Sequence, residues 1–321
     1  MINIEELLRS DRRQIAKAIT LIESTLESDQ CKKEELLRKL TPKSGTSTRI
    51  GISGPPGAGK SSLIELLGIM AINQGHNVAV LAVDPSSQLN KGSILGDKTR
   101  MPELSISKNA FIRPSPSRGH LGGIGRYTHD TITICEAAGY NYVIIETVGV
   151  GQSEIDIAGI ADISIVLQLA NTGDELQGIK RGILEIADIV AIHKADISDD
   201  LPSKKAKSEI EQAINMLHQE SRPPVLMTSI MRKSTIEELW RQINQLVDRK
   251  LKSGRLLQQR NHYLLKIFHT DLQEKLIKKV FSSKGTKGLA EKYQQLTLAR
   301  KMSPSSAANR AAFELFQMLE S

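Results

Sequence analysis

The sequence predicts an α/β protein with a mostly parallel, doubly wound sheet, flanked by helical extensions at the N- and C-termini. Three observations predict it. Six short apolar runs alternate with segments of helical periodicity between about Arg49 and Val247. The first run leads into Gly54-Pro-Pro-Gly-Ala-Gly-Lys60-Ser61, which fits G-x-x-x-x-G-K-[ST] and marks the sheet as that of a P-loop NTPase. Residues 1–48 and 248–321 show apolar stripes at helical spacing and lack strand-like runs.

In the first segment, Ile15, Ala18, Ile19, Ile22 and Leu26 recur on one face and predict an amphipathic helix. Residues 41–48, Thr-Pro-Lys-Ser-Gly-Thr-Ser-Thr, then read as a linker. The central segment, 49–247, contains predicted strands at Ile50–Ser53, Val78–Val83, Tyr142–Glu146, Ser164–Leu169, Ile189–Ile192 and Val225–Thr228. Most are continuous apolar runs, as expected of parallel strands buried on both faces. Ile210, Ala213, Ile214 and Leu217 mark a helix between the last two. Ile236, Leu239, Trp240, Ile243 and Leu246 mark the helix that closes the segment. In 248–321, one stripe is Leu265, Phe268, Leu272 and Leu276, and another is Ala311, Leu315 and Leu319. Packing into a core is the default reading of such stripes.

Composition narrows the function classes. The chain of 321 residues is 40% hydrophobic and 25% charged, ordinary for a globular protein. No apolar run approaches the roughly 18 residues of a membrane span. Residues 1–12 are charged and contain no signal-peptide core. Cys31 and Cys135 are too few and too separated for a disulfide framework or metal cluster, which points to the cytoplasm. The net charge of +7 is uneven: Arg249 to Lys301 holds 14 Lys and Arg against 3 Asp and Glu. With aromatics at 3%, this basic segment reads as solvated helix faces, or secondarily as a surface for an acidic protein, and not as a nucleic-acid site.

The chemistry is expected where a parallel sheet binds ligands, beyond the carboxyl ends of its strands. Gly54, Pro55, Pro56, Gly57, Ala58 and Gly59 form a turn whose N–H groups make an anion nest, and Lys60 and Ser61 lead into a helix predicted from Ser62 to Asn73. Lys60 would reach the β- and γ-phosphates, and the Ser61 hydroxyl would ligate Mg²⁺. Asp84 and Glu146 end two strands and are candidate carboxylates for the same ion, directly or through water. Gly149 could offer its N–H to a γ-phosphate, so 146–154 is a switch candidate, and Gln152 could orient a water. His193-Lys194-Ala195-Asp196 approximates Asn-Lys-x-Asp, in which the Asp carboxylate accepts two N–H bonds from guanine and the Lys stem covers the ring. Residues 225–230, containing Ser229 and Ile230, fit the later base-binding loop. Arg113, Arg118 and Arg126 lie between the predicted sheet elements and are candidates for phosphate or partner contact.

At this point the chain resembles the MeaB/ArgK-type P-loop GTPases, which chaperone methylmalonyl-CoA mutase and carry the older name of LAO/AO transport ATPases or kinases. The resemblance rests on Gly51-Ile-Ser-Gly-Pro-Pro-Gly-Ala-Gly-Lys-Ser61, Val83-Asp-Pro-Ser-Ser87, Gly92-Ser-Ile-Leu-Gly-Asp-Lys-Thr-Arg-Met101 and Ile112-Arg-Pro-Ser-Pro-Ser-Arg-Gly-His-Leu-Gly-Gly123. Glu146-Thr-Val-Gly-Val-Gly-Gln-Ser-Glu154 and Gly173-Asp-Glu-Leu-Gln-Gly-Ile-Lys180 complete it. It implies GTP hydrolysis coupled to a cobalamin-dependent acyl-CoA mutase, with GTP or GDP and Mg²⁺ as ligands and a C-terminal arm that forms a homodimer. It also implies that Gln177 and Lys180 signal nucleotide state to the partner. Two departures stand out. His193 occupies a position where the family normally has Asn, and 231–235, Met-Arg-Lys-Ser-Thr, replaces a stretch usually richer in Gly. The alternatives are an ATP-dependent kinase, a nucleotide-held regulatory module without turnover, and a nickel metallochaperone. The last would call for a Cys/His cluster that Cys31 and Cys135 do not supply.

Overall fold

A computed structural model describes residues 2–84, 100–116, 123–147, 159–169, 181–196, 201–217, 222–281 and 284–320. Among them, seven parallel strands form one sheet in the order β3-β2-β4-β1-β5-β6-β7. They are β1 (Thr48–Ser53), β2 (Val78–Asp84), β3 (Ala110–Pro116), β4 (Tyr142–Thr147), β5 (Ile163–Leu169), β6 (Ile189–His193) and β7 (Val225–Met227). Six match the predicted runs. The seventh, β3, corrects the reading of Arg113 as lying between sheet elements. It pairs with β2 from Val78↔Ala110 to Asp84↔Pro116. Its two prolines conceal it in the sequence, yet they suit an edge strand, where one row of N–H groups has no neighbour to bond.

Helices cover both faces. Ile50, Ile52, Val80, Ile163, Ile165 and Leu167 bury one face against α4 (Lys60–Asn73), α5 (Pro102–Ile106) and α9 (Lys233–Lys252), through Leu63, Leu67, Leu104, Leu239, Trp240 and Ile243. Val166, Val190 and Ile192 point the other way, toward α7 (Arg181–Glu185) and α8 (Leu201–Leu217). Burial on both faces explains why these strands are apolar throughout rather than alternating.

The N-terminal segment folds as α1 (Ile4–Leu8), α2 (Arg12–Glu23) and α3 (Gln30–Leu40). Asp11 caps α2 by accepting from the Gln14 N–H at 2.8 Å. Extended backbone at Ser24 ends the helix, so Leu26 lies beyond it, 63% exposed, and does not extend the stripe as the periodicity predicted. Ile15, Ala18, Ile19 and Ile22 are buried, and α2 and α3 pack on α6 (Gly123–Ala137). Each buried isoleucine contributes about 1.5–3 kcal/mol.

Residues 41–48 are more than a linker. A 3₁₀ turn at Thr41–Lys43 continues from α3, and the segment is then pinned by charge. Glu136 of α6 accepts from the Gly45 N–H and the Ser47 hydroxyl, each at 2.5 Å, and pairs with Arg49 of β1, Nε to Oε1 at 2.9 Å. Burial works against the charge of this carboxyl. Arg49, Ser47 and Gly45 outweigh it and hold the pKa below the ordinary 4.5. Beside this group, Asp162 accepts from the Arg49 N–H at 2.8 Å and from Arg260 of α10 (Arg255–Phe281), at 2.8 Å from Nε and 2.6 Å from Nη2. The Arg260 guanidinium also donates to the Gly45 and Ser47 carbonyls. The start of α10 is thus clamped to the amino ends of β1 and β5.

Two compact units emerge, Met1–Tyr263 and Leu264–Ser321. The second holds the rest of α10 with α11 (Lys284–Leu298) and α12 (Pro304–Glu320). Tyr293 of α11 donates to Glu314 of α12 at 2.6 Å. Leu265, Phe268, Leu272 and Leu276 of α10 are exposed by 42–59%. Within this chain they do not form the packed face that was the default reading.

Candidate functional site

The phosphate loop follows directly from β1. Gly54 has φ 151°, and a Cβ there would lie 2.8 Å from the Leu167 carbonyl oxygen of neighbouring β5. The turn passes so close to the sheet that only glycine fits. The Ala58 N–H donates to the Pro55 carbonyl at 3.2 Å and closes the turn. Gly59 caps α4 with left-handed φ 90°. Lys60, the first residue of that helix, is buried; its Nζ donates to the Gly54 carbonyl at 2.7 Å and the Pro55 carbonyl at 3.1 Å. The predicted helix start, Ser62, is two residues late because the glycine cap lets the helix begin at once.

The next residue, Ser61, donates from Oγ to Glu146 Oε1 at 3.1 Å. Strand register explains the meeting. Glu146 sits on β4 opposite Ile52 of β1 on one side and Ala82 of β2 on the other. Asp84 ends β2, two residues beyond Ala82. A hydroxyl and a carboxylate therefore meet at the helix mouth, with a second carboxylate residue at the carboxyl end of the adjacent strand. This hard-oxygen set has the chemistry that Mg²⁺ takes.

The base side is built from the ends of β6 and β7. Thr228 donates its N–H to the Ile192 carbonyl at 2.8 Å, and Ala195 donates to the Thr228 carbonyl at 3.1 Å. Lys194 adopts φ 62°, which turns the chain sharply after the strand. Lys194 and Asp196 are exposed, and Asp196 Oδ1 accepts from the Ser229 hydroxyl at 2.5 Å. Ser229 is buried and Ile230 is 47% exposed. The stretch 231–235 is fastened to the preceding turn: the Ser229 N–H donates to Thr235 Oγ1 at 3.0 Å, and the Met231 N–H donates to Ser229 Oγ at 3.0 Å. These bonds close the loop, although the stretch contains no glycine.

His193 is only 1% exposed. Its Nδ1 is 2.9 Å from Thr228 Oγ1. Burial is the main influence that lowers its pKa below 6.5; Asp196 opposes that and Lys194 adds to it, so the ring is neutral at pH 7. The far edge of the ring abuts the phosphate loop, where a Cβ on Gly59 would lie 2.8 Å from Cδ2.

The structure thus brings the loop 54–59, Lys60, Ser61, Ser62 and Glu146 to one end of the sheet, with Asp84 ending the neighbouring strand. His193, Lys194, Asp196, Ser229 and Ile230 gather at the carboxyl ends of β6 and β7. Gly149, Gln152, Gln177, Lys180 and Arg118 lie outside the described residues. Arg113 belongs to β3, where its Nη2 pairs with Glu23 of α2 at 2.6 Å, a structural engagement. Arg126 falls within α6. Sequence reasoning passed over Thr228 and Thr235 as individual residues, although a polar residue immediately after an apolar strand was the available signal for Thr228.

Comparison with known proteins agrees with this geometry. The sequence model of a family described as "Methylmalonyl Co-A mutase-associated GTPase MeaB" matches residues 15–285. A "Probable GTPase" of Mycobacterium tuberculosis is 50% identical over 233 residues, 72% of this chain and 69% of that protein. The "GTPase ArgK" of Escherichia coli is 42% identical over 284 residues, 88% of this chain and 86% of that one. A mouse protein named "Methylmalonic aciduria type A homolog, mitochondrial" is 44% identical over 271 residues, 79% of this chain and 64% of that one. A crystal structure of a "LAO/AO transport system kinase" superposes with a TM-score of 0.76 at 32% identity, covering 99% of this chain and 96% of that one.

Proposed function

The chain belongs to the MeaB family, and on that premise we propose that it is a GTP-hydrolysing chaperone of a cobalamin-dependent, methylmalonyl-CoA mutase-type acyl-CoA mutase. GTP turnover would be coupled to delivery, protection or reactivation of the mutase cofactor in the cytoplasm. The observation that carries this reading is the Lys60, Ser61 and Glu146 cluster at the mouth of α4, with Asp196 at the end of β6.

In this reading the N–H groups of the phosphate loop and the amino end of α4 hold the triphosphate. Lys60 exchanges the Gly54 and Pro55 carbonyls for phosphate oxygens and neutralises charge as the γ-phosphoryl group transfers to water. Ser61, Asp84 and Glu146 hold Mg²⁺, which supplies further charge neutralisation when bound. Gly149 senses the γ-phosphate, and Gln177 and Lys180 pass nucleotide state to the mutase. Asp196 accepts from the guanine ring, releasing the Ser229 hydroxyl, while Lys194 covers the ring and the loop of Ser229 and Ile230 closes the base site. Adenine lacks the paired N–H donors that Asp196 would bind, which weighs against the ATP-dependent kinase suggested by the name of the similar crystal structure.

Lys60→Ala should nearly abolish GTP hydrolysis while leaving circular dichroism unchanged; wild-type turnover in that variant would defeat the proposal. Competition of GTP against ATP for binding tests Asp196. Capture of an acyl-CoA mutase that depends on GTP analogue versus GDP tests the biological role. For the homodimer, Phe268→Glu in the exposed α10 stripe should shift sedimentation from dimer to monomer, and an unchanged wild-type dimer would exclude this face.

A further inference from the structure

His193 joins two loops that are distant in sequence. Its ring is buried between the end of β7 and the turn that precedes α4. On one edge, Nδ1 is 2.9 Å from Thr228 Oγ1. The Thr228 hydroxyl also lies 3.4 Å from the Ile192 carbonyl, so it links the ring to the end of β6 whichever ring nitrogen carries the proton. On the opposite edge, Cδ2 and Nε2 would stand 2.8 and 3.1 Å from a Cβ on Gly59. The imidazole fills the space that a side chain at 59 would need. Backbone bonds between Thr228 and both Ile192 and Ala195 hold the β7 end of the assembly rigid.

We propose that His193 and Thr228 are positioning residues that set the distance between the base loop and the phosphate loop, His193 acting from behind the pocket without touching the guanine ring. This inference rests on the guanine-nucleotide reading of the site. A purine triphosphate must be gripped at both ends at once. A rigid strut between the two loops preorganises that grip before the nucleotide arrives. Lys194 and Asp196 are exposed, whereas His193 before them is anchored inward.

The test is steady-state hydrolysis and GDP release with GTP and ITP, whose base lacks the 2-amino group. Thr228→Val removes the hydroxyl with little change of shape. It should raise KM for GTP and speed GDP release about tenfold each, as expected for one buried hydrogen bond, with kcat at saturation little changed. The GTP-to-ITP preference should stay at its wild-type value. Thr228→Ser, which keeps the hydroxyl, should restore KM. His193→Ala and the His193→Ala/Thr228→Val pair should cost no more than either change alone, because the two groups act as one unit. Wild-type KM in Thr228→Val, additive losses in the pair, or a changed GTP-to-ITP preference in His193→Ala would each overturn the strut. If wild-type protein binds no guanine nucleotide, the proposed function fails instead. The ¹⁵N signals of His193 in nucleotide-free protein then decide the contact. Ring shifts that move in Thr228→Val support it, and shifts identical to wild type in that variant overturn it.

Discussion

Glu136→Leu should be among the most damaging single changes away from the nucleotide site. The carboxylate is 4% exposed, and its partner Arg49 is 6% exposed. It holds Arg49 by two contacts, Nε at 2.9 Å and Nη2 at 3.2 Å. It also accepts from Ser47 Oγ and the Gly45 N–H, each at 2.5 Å. Leucine fills much of the volume but leaves a guanidinium buried without its anion, a loss of about 3–5 kcal/mol. For a unit of this size, that lowers the thermal midpoint by roughly 6–20 °C. The double change Arg49→Met/Glu136→Leu removes both charges. Its remaining cost is the lost partners of Ser47 and Gly45, about 1–2 kcal/mol. Urea unfolding followed by circular dichroism, comparing midpoints at constant m-value, measures both variants. A single variant within about 1 kcal/mol of wild type, or a double variant as unstable as the single, would refute the reasoning that an uncompensated charge is the cause.

Three further outcomes follow from local geometry. Gly54→Ala should cost about 1–3 kcal/mol and weaken GTP binding, since its Cβ would meet the Leu167 carbonyl at 2.8 Å; thermal melts and calorimetric titration measure both. Stability should fall as pH drops below 4.5, because Glu136 has a lower pKa folded than unfolded and the unfolded chain takes up the proton first. Glu136→Gln should flatten that part of the pH profile of the urea midpoint. A thiol reagent should label exposed Cys31 quickly in native protein and Cys135 only after unfolding, because burial raises the Cys135 pKa and excludes the reagent. Mass spectrometry counts the adducts.

The sheet could be read from the sequence wherever burial was symmetric. Residues 78–82 and 163–167 are buried, covered by helices on both faces of the sheet, so their apolar runs stand out. Ala110–Pro116 escaped because an edge strand tolerates Pro114 and Pro116, residues that argue against a strand inside a sheet. Residues 41–48 escaped for a different reason. Thr, Pro, Ser and Gly describe a flexible segment by composition, and what fastens Gly45 and Ser47 are Glu136 and Arg260, far along the chain. No local pattern contains that information. The α10 stripe shows the converse limit: periodicity identified the face through Phe268 and Leu272, but the face itself is exposed.

Within the site, residues whose role comes from backbone position were the readable ones. Gly54 to Ser61 carry their geometry in their order, and strand ends located Glu146 and Asp84. His193 was harder to interpret. Its place before Lys194 and Asp196 suggested that it faces the base with them. Strand alternation argues otherwise. With Asp196 turned outward after the left-handed Lys194, the last residue of β6 is left pointing into the protein, where Gly59 and Thr228 meet it. An Asn at this position would have δ atoms where Nδ1 and Cδ2 stand but nothing in place of Nε2, which lies 3.1 Å from a Cβ built on Gly59. On the proposed reading the imidazole holds the two loops together and Asp196 chooses the base, so affinity and selectivity at this site should respond to different residues.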